Sequence, residues 1–533
     1  MKKLLLTISV SLVAVCFAFG QISQGEYQLG GTYADQGYSI IKTNDGGYAI
    51  AGGYGDDYSD SAYLYVIKLD SNFNFKWSKT IGGVGTEYGN SIIQSKDKGY
   101  IVVGYSSSYG AGSNDEYVVK LDSAGNVKWT RTSGGTGDDE ATSVVQSANG
   151  DYVIAGYTNS FGAGGYDAYV TELDTAGNLV LSKTYGNGFD EKINSMSKTK
   201  DKGYILAGYT NSSGAGGQDV YLLKLDSVFH VTWSSTLGAS NNEIANSVIQ
   251  TKKGDFAIAG INDSAVGMGG YIQGYVALID SIGNLKKAED INSGIYNYKS
   301  EIFNAIAQTL DGGYTITGMS YSFSVGGTGS LYTVKVDTAL NIIKGVALGG
   351  CEAEGQSLLQ TSDKGILVVG QNCPVYPDSG NIFLVKYDST LNTCGSLAYG
   401  GVAIASGILT RPLVFTGSGG TITSTNQGKI SSAGGSSNVC STPTSVNTIS
   451  PPINSVQVYP NPGNGVFIIE QSAEKQSGVI EVYNILGEKI HQHSFSALLT
   501  TLDLSGQPSG IYFYRITSEK GEAINSGKLI IEK

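Results

Sequence analysis

A block of eight residues, Asp45-Gly-Gly-Tyr-Ala-Ile-Ala-Gly52, returns along this chain at Asp97 to Gly104, Asn149 to Gly156, Asp201 to Gly208, Lys253 to Gly260, Asp311 to Gly318 and Asp363 to Gly370. Successive copies are 52 residues apart, except for a step of 58 between the fifth and the sixth. Such a period constrains the fold more than any other feature, because each copy is one supersecondary unit that buries its faces only against its neighbours. The second copy shows what the unit is. Ser91-Ile-Ile-Gln94, Tyr100 to Tyr105, Tyr117 to Leu121 and Val127 to Thr132 are apolar-rich runs separated by Lys-Asp-Lys-Gly, a longer loop and Asp-Ser-Ala-Gly-Asn. Alternation bounded by Gly, Asp and Asn turns marks antiparallel strands joined as hairpins. Seven four-stranded sheets set radially around a channel make a seven-bladed β-propeller, and the fold class is all-β.

The ends of the repeat region predict how the ring closes. Tyr27-Gln-Leu-Gly-Gly31 matches Lys79-Thr-Ile-Gly-Gly83, the end of a fourth strand, yet no first three strands precede it. The seventh copy fades after Cys394. The N-terminal strand is therefore expected to complete the last blade. Composition agrees: 75 Gly and 35 Tyr with 15% charged residues suit short aromatic strands and tight turns. A net charge of -12 argues against nucleic acid as partner, since phosphate binding needs a basic face.

The repeat resembles bacterial β-propeller repeats of the form GYxxxGYT, DxYxxKLDxxGNxxW and TxGG. Gly203-Tyr-Ile-Leu-Ala-Gly-Tyr-Thr210, Asp219-Val-Tyr-Leu-Leu-Lys-Leu-Asp226 and Thr80-Ile-Gly-Gly83 carry the likeness. It implies the fold and leaves the function open.

Before and after the propeller, assigned to residues 21–395, the pattern changes. Lys2-Lys3, an apolar run from Leu4 to Phe19, and Ala18-Phe19-Gly20 read as a signal peptide over residues 1–20. Cys16 offers a lipoprotein alternative, weakened by Val15 where a small residue is expected. No other run approaches the roughly 20 apolar residues of a membrane-spanning helix. Residues 396–452, rich in Gly, Ser and Thr, read as a linker with too little apolar surface to order itself. Residues 453–533 return to short alternating runs, as in Gly478-Val-Ile-Glu-Val-Tyr483, and predict a small Ig-like β-sandwich.

Tyr459-Pro-Asn-Pro462, Val482-Tyr-Asn-Ile-Leu-Gly-Glu488, Pro508-Ser-Gly-Ile-Tyr-Phe513 and Gly527-Lys-Leu-Ile-Ile531 make this last segment similar to the type A C-terminal sorting domain of the Bacteroidetes type IX secretion system. The resemblance implies the type IX machinery as partner, export across the outer membrane, and release or attachment at the cell surface.

Four cysteines remain beyond the signal region: Cys351, Cys373, Cys394 and Cys440. An exported chain permits disulfides, and four cysteines allow three pairings. Phase within the blade favours Cys351 with Cys373, whose two loops fall on one face, leaving Cys394 and Cys440 to join the end of the propeller to the linker.

The chemistry-bearing residues are few. His230 stands alone in a turn, and Arg131, the propeller's only arginine, cannot supply the arginine cluster of a sialidase-type site. Trp77, Trp129 and Trp233 recur at one phase of the fourth strand and read as blade packing or as a carbohydrate platform. Asp70, Asp122, Asp174, Asp226, Asp280, Asp337 and Asp388 open a turn whose amides they can cap. A carboxylate also enters each blade three residues ahead of the expected inner strand: Asp35, Glu87, Asp139, Glu191, Glu243 and Glu301, with Glu352 and Glu354 flanking Ala353 in the seventh copy. Turned to the channel mouth they form an acidic ring able to hold Ca2+; turned inward they cap their own strands. No cofactor is required. The reading is a non-catalytic binding or adhesion module for an extracellular glycan or protein. The alternatives are a polysaccharide-active enzyme using paired loop carboxylates, and a structural surface-layer protein.

Overall fold

In the computed structural model every described element is a strand or a turn between strands. The described residues are 25–30, 34–55, 62–263, 272–292, 300–322, 329–348, 353–372 and 381–393, seven short strands between 397 and 438, and 456–459, 464–471, 477–484, 488–495, 499–518 and 523–531. The chain divides into two compact units, Met1–Thr442 and Pro443–Lys533. The signal peptide at 1–20, Cys16 and all four cysteines of the expected disulfides lie outside the described residues.

The first unit is the propeller. Its second blade consists of Glu87–Gln94, Tyr100–Ser106, Asp115–Leu121 and Val127–Gly134, each strand hydrogen-bonded to the next in sequence. The inner strands of the other blades are Ala34–Lys42, Asp139–Gln146, Glu191–Lys198, Asn242–Gln250, Glu301–Gln308 and Glu354–Gln360. Each packs against the inner strands on either side, and the seventh packs against the first, so the ring is closed. Gly25–Gly30 lies beside Asn381–Tyr387 with Leu29 opposite Ile382, which completes the last blade as the orphan strand predicted.

The core sits between blades. Ala51, Leu64, Val66 and Ile81 of the first blade are buried against Ile92, Tyr100, Val102 and Tyr117 of the second. One sheet face thus becomes apolar only by meeting its neighbour, which is why a single copy cannot fold alone.

The inner strands of blades two, three, four and six begin at the carboxylate and those of blades one and five one residue before it, so the strand of blade two starts at Glu87 and not at the Ser91 that the pattern marks. The sequence pattern hides the first half because each inner strand carries a β-bulge, between Gly89 and Ser91 in the second blade and at the matching place in the others. A bulge breaks the period-2 alternation. It also frees a side chain for the neighbour: Asn90 Nδ2 donates to Ala141 O at 2.9 Å, Thr142 Oγ1 to Ile193 O at 2.8 Å, and Asn246 Nδ2 to Phe303 O at 2.9 Å. One residue on, a serine accepts an amide of the following blade, and Ser357 accepts Ile40 N–H at 3.4 Å across the ring closure.

The segment 396–452, expected to be a linker, is corrected by the strand pairing. Leu397–Tyr399 pairs with the outer strand of blade six, Val402–Ala405 with blade five, Ile408–Thr410 with four, Phe415–Gly417 with three, Thr421–Thr425 with two and Lys429–Ser431 with one. Gly435–Asn438 then pairs with Gly25–Gly30 in blade seven. This stretch is a belt that adds a fifth strand to all seven blades, running round the ring against the blade order. The physical reason is that an outer strand presents a row of unpaired amides and carbonyls, and backbone pairing makes no demand for apolar side chains.

The second unit is a two-sheet sandwich. Val456–Tyr459, Val466–Gln471 and Leu499–Asp503 form one sheet; Lys489–Phe495, Gly478–Tyr483, Gly510–Ser518 and Ala523–Ile531 form the other. Phe467, Ile469, Ile480, Val482, Leu502 and Ile516 fill its core.

Candidate functional site

The six sequence-predicted carboxylates are all buried, each in its own blade. Glu87 accepts Gly83 N–H at 2.8 Å and the Ser106 hydroxyl at 2.7 Å; Asp139 accepts Gly135 N–H at 2.7 Å and the hydroxyls of Thr158 and Ser160. Glu191 takes Asn187 N–H and Thr210 in the same way, and Glu301 takes Ser320 and Ser322. Asp35 occupies the same phase and is equally buried. Glu87, Asp139 and Glu191 therefore tie the loop entering their blades to the end of the second strand, and the ring of buried carboxylates lies behind the mouth. Among the described residues no three His, Cys, Asp or Glu side chains gather closely enough to hold one metal ion. In the seventh copy Ala353 takes the buried phase, and Glu352 lies outside the described residues.

Alternation along the inner strand sends the next residue the other way, to the channel mouth. That position reads Gln36, Tyr88, Glu140, Lys192, Ile244, Ile302 and Glu354 around the ring. Its cross-strand partners are Gly53, Tyr105, Tyr157, Tyr209, Ile261, Met319 and Gln371. Here the seven copies cease to be alike. Blades five and six present Ile244, Ile261, Ile302 and Met319, whereas the remaining blades present an aromatic and polar arc.

The arc is continuous. Tyr38, the bulge residue of blade one, meets Tyr88 edge-on at 5.9 Å, and Tyr88 meets Tyr105 at 5.5 Å. Glu140 accepts the Tyr157 hydroxyl at 2.6 Å and Asn114 Nδ2 at 3.3 Å. Lys192 Nζ stands 3.5 Å from the centroid of Tyr166 and 4.0 Å from that of Tyr157, two rings perpendicular to each other. The Tyr166 hydroxyl donates to Asp138 at 3.1 Å, and its amide to Asp190 at 2.9 Å. On blade seven, Glu354 accepts Asn304 Nδ2 at 2.7 Å. Burial raises the Glu140 and Glu354 carboxyls and the Tyr157 phenol above their ordinary pKa values, and lowers Lys192 despite the acids around it.

The other sequence candidates serve the scaffold. Trp77 packs on Gly125 of the next blade and edge-on to Tyr100 at 5.7 Å; Trp129 packs on Gly177 with its ring tilted to Tyr152 at 6.2 Å, and Trp233 on Gly283 edge-on to Phe256 at 5.8 Å. Arg131 lies over Trp129 and donates to Gly177 O at 2.8 Å. Asp122 accepts Ala124 and Asn126 amides at 2.9 Å, and the equivalent aspartates do likewise. His230 is exposed, with Nδ1 3.2 Å from Asp226.

Fold and site define a seven-bladed propeller with one chemically differentiated channel mouth. Residues 457–532 match the family described as the secretion system C-terminal sorting domain, so the second unit carries a type IX sorting tail of the Bacteroidetes kind. The protein is secreted or attached to the outer-membrane surface. Among the described residues no helix is long and apolar enough to cross a membrane.

The regulatory protein FlaEY of Caulobacter vibrioides is 27% identical over 156 residues, covering 25% of this chain and 16% of its own length. Similar solved structures include Sqt1 from Chaetomium thermophilum, with 12% identity, 68% of this chain and 99% of that one covered, and a TM-score of 0.39. A polysaccharide lyase of family PL25, an ulvan lyase, has 10% identity, 70% and 98% coverage, and a TM-score of 0.40. PorZ, a surface component of the type IX secretion system of Porphyromonas gingivalis, has 10% identity, 95% and 75% coverage, and a TM-score of 0.35.

Proposed function

We propose that the exported propeller is a non-catalytic binding or adhesion module whose ligand, an extracellular glycan, seats on the tyrosine arc of the channel mouth. The carrying observation is that seven near-identical blades diverge at the mouth position, where Tyr88, Tyr105, Tyr157 and Tyr166 lie beside Glu140, Glu354 and Lys192. Tyrosine faces cover the apolar C–H faces of a sugar, and carboxylates accept its hydroxyls. The net charge of -12 favours a neutral glycan over a polyanionic one. A second reading has one observation in its favour: Glu140 is buried enough to retain its proton above the usual carboxylate range, as a general acid does.

Incubating the full chain with a panel of polysaccharides, and following both retention and new chain ends, separates the two. Retention without cleavage supports the binding module. Turnover abolished by Glu140→Gln supports the enzyme, and neither retention nor turnover removes the mouth as a glycan site.

A further inference from the structure

Blade five departs from the repeat behind the mouth. In blades two, three and four the second strand ends with Ser106, Thr158 and Thr210, whose hydroxyls donate to the carboxylates Glu87, Asp139 and Glu191. Blade five has Asn262 there, directly opposite Glu243 across the strand pair. The Asn262 Nδ2 does not turn to Glu243. It donates to both oxygens of Asp290, each at 3.0 Å, and Asp290 takes the place of a threonine in the fourth strand. With its nitrogen so fixed, the carboxamide must aim its oxygen away from Asp290.

Two buried oxygens result. Glu243 Oε1 and Asn262 Oδ1 have no hydrogen-bond partner, although Glu243 is 2% and Asn262 5% exposed. The neighbouring Tyr275 hydroxyl is also buried without a partner. Glu243 keeps one bond, from Ala239 N–H at 3.0 Å to Oε2. Gly238 sits between that oxygen and Asp219 Oδ1, so a second buried carboxylate is close by. Among the described residues neither Glu243 nor Asp219 pairs with a lysine or arginine; the nearby Lys286 and Lys287 pair with Asp255 and Glu289. Burial, with the charges of Asp219, Asp290 and Asp263, pushes the Glu243 carboxyl up to about 7. Buried carboxylates whose partners are only neutral amides, with Glu243 Oε1 and Asn262 Oδ1 left without a donor, favour a positive charge between them.

We propose that blade five holds a hard divalent cation of the Ca2+ class, ligated by Glu243 Oε1 and Asn262 Oδ1. The set is mixed, carboxylate with carboxamide, and the remaining positions fall to the phenol oxygen and water, as oxygen-rich Ca2+ shells allow. The repeat's own logic explains the single site: blade seven also carries a carboxamide at this position, Asn372, but with Ala353 at the carboxylate phase, so among the described residues blade five alone sets a carboxamide oxygen opposite a buried carboxylate.

The probes are Tb3+ and Ca2+ added to the chelated full chain, with Tyr275 placed to sensitise Tb3+ luminescence. The expected result is saturable luminescence displaced by Ca2+, with affinity at least about tenfold weaker in Glu243→Gln and in Asn262→Thr. Asn262→Thr restores the residue of blades three and four, supplies a hydroxyl to Glu243, and keeps the test decisive should Glu243→Gln unfold. Undiminished affinity in a folded Asn262→Thr variant overturns the proposal. So does a wild-type chain with no saturable signal, whose cluster is then held by a shared proton.

Discussion

Gly156 sits opposite the bulge of its blade, where a Cβ would overlap the carbonyl oxygen of Glu140, and Gly52, Gly104, Gly208, Gly260, Gly318 and Gly370 meet the same obstacle in theirs. The seven identical glycines that announce the repeat are thus required by one backbone approach. Gly156→Ala is expected to cost about 3 kcal/mol or more, read as a shift of the urea midpoint, because backbone cannot move aside as a side chain can. Another residue-scale pairing was also readable. Asp97 holds the buried Lys120 at 2.7 Å, and the two copies that lack the aspartate, with Asn149 and Lys253, also lack the lysine, having Glu172 and Leu278. Glu116 was not readable, since nothing in a single strand says that both sheet faces will be covered. Burial pushes its carboxyl up to about 8 from an ordinary 4.5, with the Thr171 hydroxyl as partner. The native chain therefore binds more protons than the unfolded one between these values, and stability falls as pH rises through that window. Melting temperatures measured from pH 5 to 8 should decline, and the decline should be shallower in Glu116→Gln.

At the scale of elements, blade count, the sealing N-terminal strand and the sandwich were legible because each rests on hydrophobic period and turn residues. The start of the inner strands was not, because the bulge at Asn90 and its equivalents interrupts the alternation on which strand reading depends. The belt was hidden for a different reason. Leu397–Tyr399 through Gly435–Asn438 pair with the blades through the backbone, and no side-chain pattern records a partner that lies one blade further back at each step. Thr421–Thr425 covers Thr130–Gly134 on the outer edge of blade two. Amide exchange by mass spectrometry should find those outer-strand amides protected in the full chain and fast after residues 397–438 are removed. Equal exchange in both would show that the edge is open to water with or without the belt.

For the whole molecule, the candidate site was half legible. The carboxylate series drew attention to the right end of the inner strands, but strand alternation puts Glu87 and its equivalents inward and leaves Tyr88, Glu140 and Lys192 at the mouth. Comparing the copies for where they differ, instead of where they agree, points to that phase. Export is a separate property of the second unit. Removing residues 443–533 should leave the propeller's melting transition unchanged and hold the protein inside the cell envelope, as fractionation would show. The central claim is that recognition resides at the differentiated mouth and not on the tryptophan-bearing flank. Its most direct test is calorimetric titration of the best-retained glycan into wild type, Tyr88→Ala, Lys192→Ala and Trp77→Phe. The account predicts at least about tenfold weaker binding for the two mouth variants and unchanged binding for Trp77→Phe. Full affinity in both mouth variants, or loss confined to Trp77→Phe, would contradict it.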